Sequence, residues 1–203
     1  ETRDRMYDCS FRQGAVNFFS FVEGAYTYVG TSDPAFPSAA FPFENSGSMA
    51  LDKSRNRLLM TSFSGNQFVY GIDISKEDQD PTAGARSIFS DAVTPNSENP
   101  FTSTGDRVLT SIRIDEDRSR ALMVDRLKPA IFALTLSDDK TKDGARSVLS
   151  SNEKSSVNKF IDPYGLHIEA SMNYAIVVDK GQEALMAVDL ESGQRVVVSK
   201  SKN

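Results

Sequence analysis

One four-part pattern occurs three times in this chain, and it restricts the fold more than any other feature. The stretches "NRLLMTSFSGNQFVYGIDI" (56–74), "SRALMVDRLKPAIFALTL" (119–136) and "NYAIVVDKGQEALMAVDL" (173–190) each join two apolar runs through a polar break, the mark of a β-hairpin. Upstream of each lies an alternating segment that ends in an acid: "SMALDKSRNR" (48–57), "SIRIDEDRSR" (111–120) and "GLHIEASMNY" (165–174). The alternation runs through Met49 and Leu51, Ile112 and Ile114, and Leu166 and Ile168, so each segment reads as a strand with unlike faces. Downstream of each comes a fourth strand: "GARSIFSD" (84–91), "GARSVLSS" (144–151) and "GQRVVVSK" (193–200).

A sheet of four short strands with two partly apolar faces cannot bury itself and must stack on its neighbours. Tandem four-stranded sheets do so as the blades of a β-propeller around a central channel. A β-sandwich is the rival, but it does not require one four-part pattern three times. The predicted class is therefore all-β, with almost no helix, because no stretch sustains a 3.6-residue period. The repeat is 63 residues from Leu51 to Ile114 and 54 from Ile114 to Ile168. The excess over familiar repeats of roughly 40–50 residues lies in polar linkers such as "SKEDQDPTAG" and "SDDKTKDG", which read as turns on one rim.

The opening stretch "RMYDCSFRQGAVNFFSFVEGAYTYVGTS" reads as the second, third and fourth strands of a degenerate blade, at 5–11, 16–22 and 25–30. The blades then span about 5–31, 46–92, 109–152 and 162–201, three complete and most of a fourth in a single domain. An unpartnered terminal blade exposes apolar surface and unpaired backbone. Three closures follow, in this order: part of a six- to eight-bladed ring whose missing half is absent or on another chain, a homodimeric ring, or a four-bladed toroid.

Composition removes several function classes. Net charge is −5, with 25% charged residues of both signs interspersed, so the concentrated basic face that nucleic acid requires is missing. No apolar run approaches the roughly 20 residues of a membrane-spanning helix. Tryptophan is absent and 13 phenylalanines supply the large core volumes. The lone Cys9 forms no internal disulfide and reads as a small buried hydrophobe. The opening at Glu1 leaves earlier processing of a leader open. Polar loops and mild acidity suit a secreted or periplasmic protein.

In "FIDPYGLHIEASMNYAIVVD", Phe160, Pro163, Gly165, Leu166, Ile168 and Glu169 lead into an apolar run that ends at Asp179. This pattern resembles NHL-repeat propellers and is similar to the gluconolactonase-like group, both of the TolB-like six-bladed superfamily. It fits the last blade well and the two before it loosely, with Ser46 and Leu109 in place of the proline and Ser48 and Ser111 in place of the glycine. In the gluconolactonase-like enzymes the residue between Pro and Gly of one blade is an Asn that holds a divalent cation. Here the equivalent positions are Gly47, Thr110 and Tyr164, none a good ligand for a hard cation.

The candidate ligand-binding residues are Tyr164, Thr110, His167, Asp125 and Asp179. His167 is the only histidine, so Ser-His-Asp chemistry would rest on one imidazole; the competing reading is a satisfied residue between blades. Asp125 and Asp179 end the second strands of two blades, either as a carboxylate ring for cations or a basic partner, or as turn caps. Arg86, Arg146 and Arg195 form one column on the outermost strands, read either as a site for an anionic partner or as solvated edge charges. The Phe- and Pro-rich stretch 32–47 is a candidate recognition loop or a plug between blades.

The resulting expectation is a non-catalytic platform that recognises a small molecule or a protein through its rim loops and channel. The alternative is a metal-dependent, gluconolactonase-like hydrolase with its metal site outside this chain or divergent within it. A purely structural half that assembles with a partner is the third class. No cofactor is identified, and a divalent cation is possible.

Overall fold

The structure, a computed structural model, describes residues 4–10, 15–22, 25–31, 46–62, 68–75, 86–91, 93–95, 98–99, 101 and 108–201. The candidate recognition loop at 32–47 lies almost wholly outside them, and the side chains of Cys9 and Arg86 are likewise not described.

The strands form four separate antiparallel sheets in chain order. The first holds β1 (Asp4–Ser10), β2 (Ala15–Val22) and β3 (Ala25–Thr31). The second holds β4 (Ser46–Asp52), β5 (Arg57–Ser62), β6 (Val69–Asp73) and β7 (Arg86–Ser90). The third holds β8 (Leu109–Asp115), β9 (Arg120–Asp125), β10 (Ala130–Thr135) and β11 (Arg146–Ser151). The fourth holds β12 (Pro163–Glu169), β13 (Tyr174–Asp179), β14 (Ala184–Asp189) and β15 (Arg195–Lys200). Each sheet is a meander, and β4, β8 and β12 lie side by side as the innermost strands. These are the blades of a β-propeller, as expected, and the rival sandwich is excluded.

Strand register identifies the short first sheet. In each complete blade the third and fourth strands carry one β-bulge, at Val69/Tyr70, Ile131/Phe132 and Leu185/Met186. The second and third strands pair without a shift. The β2–β3 pair carries the same bulge at Phe18/Phe19, whereas β1–β2 is regular, so β1 to β3 are second, third and fourth strands.

The bulge also organises the junctions. It puts two successive residues of the fourth strand, Leu149 and Ser150 in the third blade, against the blade that follows. Apolar side chains fill the space between blades. Leu59, Val69 and Phe89 meet Ile112, Met123 and Phe132, and Leu122, Val124 and Ile131 meet Leu166, Val177 and Met186. Full burial of such a side chain is worth roughly 1.5–3 kcal/mol, so each blade draws most of its stability from its neighbours.

Between the first and second strands sits a single 3-10 turn, at Lys53–Arg55, Glu116–Arg118 and Ala170–Met172. Each turn ends on a left-handed residue, Asn56, Ser119 or Asn173. The preceding acid anchors the strand that follows: Arg57 Nε donates to Asp52 at 2.9 Å and Arg120 Nε to Asp115 at 2.8 Å. In the last blade these positions are Glu169 and Tyr174, so the clamp is missing there.

Candidate functional site

Four of the five candidate residues share one rim, and antiparallel pairing puts them there. Asp125 ends β9 opposite Leu109, the first residue of β8, and Asp179 ends β13 opposite Pro163, the first of β12. Thr110 and Tyr164 follow those first residues, so all four stand at the same end of the third and fourth blades.

The two aspartates are fully buried. Asp125 Oδ1 accepts from the backbone N–H groups of Leu127 (3.1 Å) and Lys128 (2.9 Å), closing the turn to β10. Asp179 accepts from Ile161 (2.8 Å), Asp162 (3.0 Å) and Gln182 (3.0 Å), holding both the turn to β14 and the approach to β12. Both carboxylates thus cap backbone. Thr110 Oγ1 donates to the carbonyl of Tyr164 at 2.6 Å, which ties the innermost strands of adjacent blades together at the mouth of the channel.

What faces solvent at this rim is mixed in character. Lys180 Nζ lies 3.5 Å from the centre of the Tyr164 ring, close enough for a cation–π contact. Arg126 forms a two-pronged ion pair with Asp162 across the junction of the two blades, and the hydrogen bond it donates to that carboxylate raises the Arg126 pKa. Beside the pair stand two exposed apolar side chains, Leu127 (50%) and Ile161 (60%).

His167 lies deeper, on β12. Its Cα partner is Ile176, as that of Arg113 is Leu122 and that of Ala50 is Leu59, so the three occupy one level of the inner strands. His167 and Arg113 are both exposed, which corrects the expectation of a histidine enclosed between blades. Arg113 donates to Ser48 Oγ at 3.3 Å, so a serine from β4 reaches the adjacent level.

The arginine column differs more sharply from expectation. Arg146 and Arg195 are neither solvated edge charges nor free to take an anion, because both are buried. Arg146 Nε donates to the carbonyls of Glu98 and Asn99, both at 3.1 Å, and Nη1 to Ser90 Oγ and the Thr94 carbonyl, both at 2.7 Å. Arg195 repeats this one blade on, donating to Asn152 Oδ1 (3.2 Å) and to the carbonyls of Ser155 and Val157. In return Asn99 and Asn158, both left-handed, donate their side-chain amides to the carbonyls of Arg146 (3.1 Å) and Arg195 (2.8 Å). The guanidinium carbons lie 5.1 Å from the Phe101 ring centre and 4.4 Å from that of Phe160. Two residues before each arginine, Gly144 and Gly193 take positive φ (82° and 72°), and their carbonyls accept from Ser90 Oγ (2.9 Å) and Ser150 Oγ (2.7 Å). Each of these two junctions is thus latched by a Gly-x-Arg of one blade inserted into the serine and exit loop of the blade before it. Burial lowers both arginine pKa values. The signal for these latches was present, as Gly-x-Arg on the fourth strands and Asn-x-Phe after them.

A cleft of about 470 Å³ opens on the opposite rim between the second and third blades, lined in part by Arg57, Phe89, Lys140 and Asp143. Arg57 there is engaged by Asp52 and Asp143, so its charge is already matched.

Among the described residues no three His, Cys, Asp or Glu side chains gather as a metal site. Gly47, Thr110 and Tyr164, which stand where the lactonase-like pattern would carry its ligands, offer no carboxylate, and Thr110 is committed to the Tyr164 carbonyl. They do not fit a hard cation.

No protein-family model matches the chain, and no curated protein matches it. Solved structures do. A chain of a nidogen/laminin complex is similar with a TM-score of 0.65 and 9% identity, over 98% of this chain and 62% of that one. A structural-genomics protein from Bacteroides thetaiotaomicron is similar with a TM-score of 0.65 and 14% identity, over 97% of this chain and 45% of that one. A protein described as a putative 6-phosphogluconolactonase from Bacteroides uniformis has a TM-score of 0.56 at 11% identity, over 96% and 52%. The chain therefore spans less than two thirds of these structures. At such identities the likeness concerns the fold.

Proposed function

We propose that the chain is a non-catalytic binding platform that recognises a protein or small molecule at the rim carrying Tyr164. The observation that supports this most is the division of labour among its polar groups. Asp125, Asp179, Thr110, Arg146 and Arg195 are taken up by turns and junctions. The Tyr164–Lys180 contact, the Arg126–Asp162 pair, Leu127 and Ile161 project from the same rim and close no blade interior. An aromatic ring and an arginine between exposed apolar side chains have the composition of a binding hot spot. That one of the similar structures is described as a nidogen/laminin complex is in keeping with a platform that binds protein.

The test is recovery of the ligand. Protein purified from its native source is analysed by native mass spectrometry, and the captured species is titrated against wild type, Tyr164→Ala and Lys180→Ala. A platform loses affinity about tenfold or more in both variants while keeping its unfolding temperature. Hydrolysis of lactones that a chelator abolishes would instead overturn the reading in favour of a metal enzyme.

A further inference from the structure

We propose that the rim carrying Tyr164 takes an acidic segment of a partner protein, in which a carboxylate side chain flanked by apolar residues docks between Lys180 and Arg126. This rests on the reading of that rim as the binding surface and adds the chemistry the surface selects. An antiparallel meander sends alternate connections to opposite ends of a blade, so charge can be compared end by end. In the third and fourth blades the connections at the Tyr164 end, 126–129, 152–162 and 180–183, carry five basic and three acidic residues. Those at the other end, 116–119, 136–145, 170–173 and 190–194, carry three basic and six acidic residues. Asp125 and Asp179 also stand at the Tyr164 end, but they are buried and turned toward backbone N–H groups. Within a chain whose net charge is −5, this end of the two blades therefore presents an excess of positive charge, and the acidic far end orients the approach of an anionic partner.

The cations converge on one ring. Lys180 Nζ, from the fourth blade, lies 3.5 Å from the centre of the Tyr164 ring, and the Arg126 guanidinium carbon, from the third, lies 6.0 Å from the same centre. Arg126 is paired with Asp162, whereas Lys180 meets the ring. Two cations and one carboxylate leave a surplus of one positive charge beside the ring, which a single carboxylate matches and a phosphate, at about −2, does not.

Apolar surface adjoins this charge. A Cβ on Gly181 would collide with Ile161 Cγ2, so the glycine lets Ile161 lie directly on the turn that carries Lys180. Leu127 follows Arg126 in the chain, and both apolar side chains are exposed. The backbone beneath is pinned. Asp179 accepts from the N–H groups of Ile161 and Asp162, Lys180 N–H donates to the Asp162 carbonyl at 2.9 Å, and Arg126 N–H donates to that of Val108 at 2.8 Å. A surface ordered before its partner arrives pays less in conformational freedom on binding.

The test selects random dodecapeptides displayed on phage against the full wild-type chain, then titrates the synthesised winners by fluorescence anisotropy. Enrichment of Asp or Glu beside Leu, Ile, Val or Phe is expected. Affinity is expected to fall about tenfold for Lys180→Ala, further for Lys180→Glu, and about tenfold for a peptide with Gln in place of its Glu. It is also expected to weaken as salt rises from about 50 to 300 mM. Lys180 is exposed, so its variants keep the unfolding temperature of the wild type. Peptides that lose affinity in Tyr164→Ala but contain no acid, or that bind equally well after Glu is replaced by Gln, would overturn the acidic partner and leave the platform reading standing. Peptides indifferent to both Tyr164→Ala and Lys180→Ala would overturn both. Failure to enrich any peptide, or Lys180-dependent binding to phosphatidylserine vesicles in place of peptides, would also overturn the proposal.

Discussion

Arg146→Ala removes a buried guanidinium that ties the third blade to the exit loop of the second. Its hydrogen bonds to the described residues include two at 3.1 Å and two at 2.7 Å. Each bond to a charged group is worth about 1.5–3 kcal/mol, but bonds within one cluster do not add. Glu98 and Asn99 are exposed residues whose carbonyls exchange the arginine for water at little cost. Ser90 is fully buried and keeps its bond to the Gly144 carbonyl at 2.9 Å, losing only its role as acceptor. The stacking over Phe101 is worth a further 0.5–2 kcal/mol or so. The net loss comes to about 2–4 kcal/mol, which for a chain of this size lowers the unfolding midpoint by roughly 5–15 °C. Thermal unfolding followed by far-ultraviolet circular dichroism measures it, with exposed Lys128→Ala as the control. Arg146→Met keeps the stem and removes the cost of burying charge, so it loses less than the alanine variant. If Arg146→Ala unfolds at the same temperature as Lys128→Ala, the latch does not hold the blades.

Three further outcomes follow from the same geometry. Gly144→Ala and Gly193→Ala would put a methyl group 2.1 Å from the Phe89 carbonyl oxygen and 1.9 Å from that of Leu149, in a backbone region alanine avoids. Each is expected to cost about 2 kcal/mol or more by urea denaturation. Asp179→Ala leaves three backbone N–H groups without their acceptor; the expected loss is about 2–4 kcal/mol, and an unchanged urea midpoint would rule out the capping role. Asp189 accepts from the N–H groups of Glu191 and Ser192 and from the Ser192 hydroxyl, and the Ser192 bonds hold its pKa below the usual 3.8. A depressed carboxylate stabilises the fold above its unfolded pKa and loses that contribution as pH falls through the folded value. The stability difference between wild type and Asp189→Ala is therefore expected to be constant at neutral pH and to shrink below about pH 4, as read from urea midpoints across that range.

The strand pattern was legible because period-2 alternation and repetition reinforce each other: the sequence placed all four sheets, including the incomplete first one. Rim positions followed, since a residue that ends a second strand must stand beside the start of the first. The orientation of Arg146 and Arg195 was not legible. Alternation assigns a side chain to one of two faces, but both faces of a blade meet another blade, and the groups that receive each arginine lie 38 to 56 residues earlier, between Ser90 and Phe101 or between Ser150 and Phe160. His167 was misjudged for a related reason. As one of the alternating residues of an innermost strand it could face a neighbour or solvent, and only its exposure in the folded chain decides between them.

The junctions differ in a way that bears on how the array holds together. In a tandem stack, stability is close to a sum of unit terms and nearest-neighbour terms, so a change confined to one junction acts mainly on the two blades it joins. Apolar burial is spread across the width of each junction, whereas the latch acts at one corner and reads identity: only a Gly-x-Arg whose glycine adopts positive φ brings its carbonyl to Ser90 or Ser150 while its arginine enters the exit loop. A blade slipped by one position along the stack would keep much of its apolar contact but present Gly24-Ala25-Tyr26 where an arginine is required. The latch therefore contributes specificity of order beyond its share of stability. Exchanging the outermost strand of the third blade, 144–151, for its counterpart in the first, 24–31, would retain a β-strand with aromatic and apolar residues but no latch arginine, and separate unfolding of the second and third blades in place of one cooperative transition is the expected consequence.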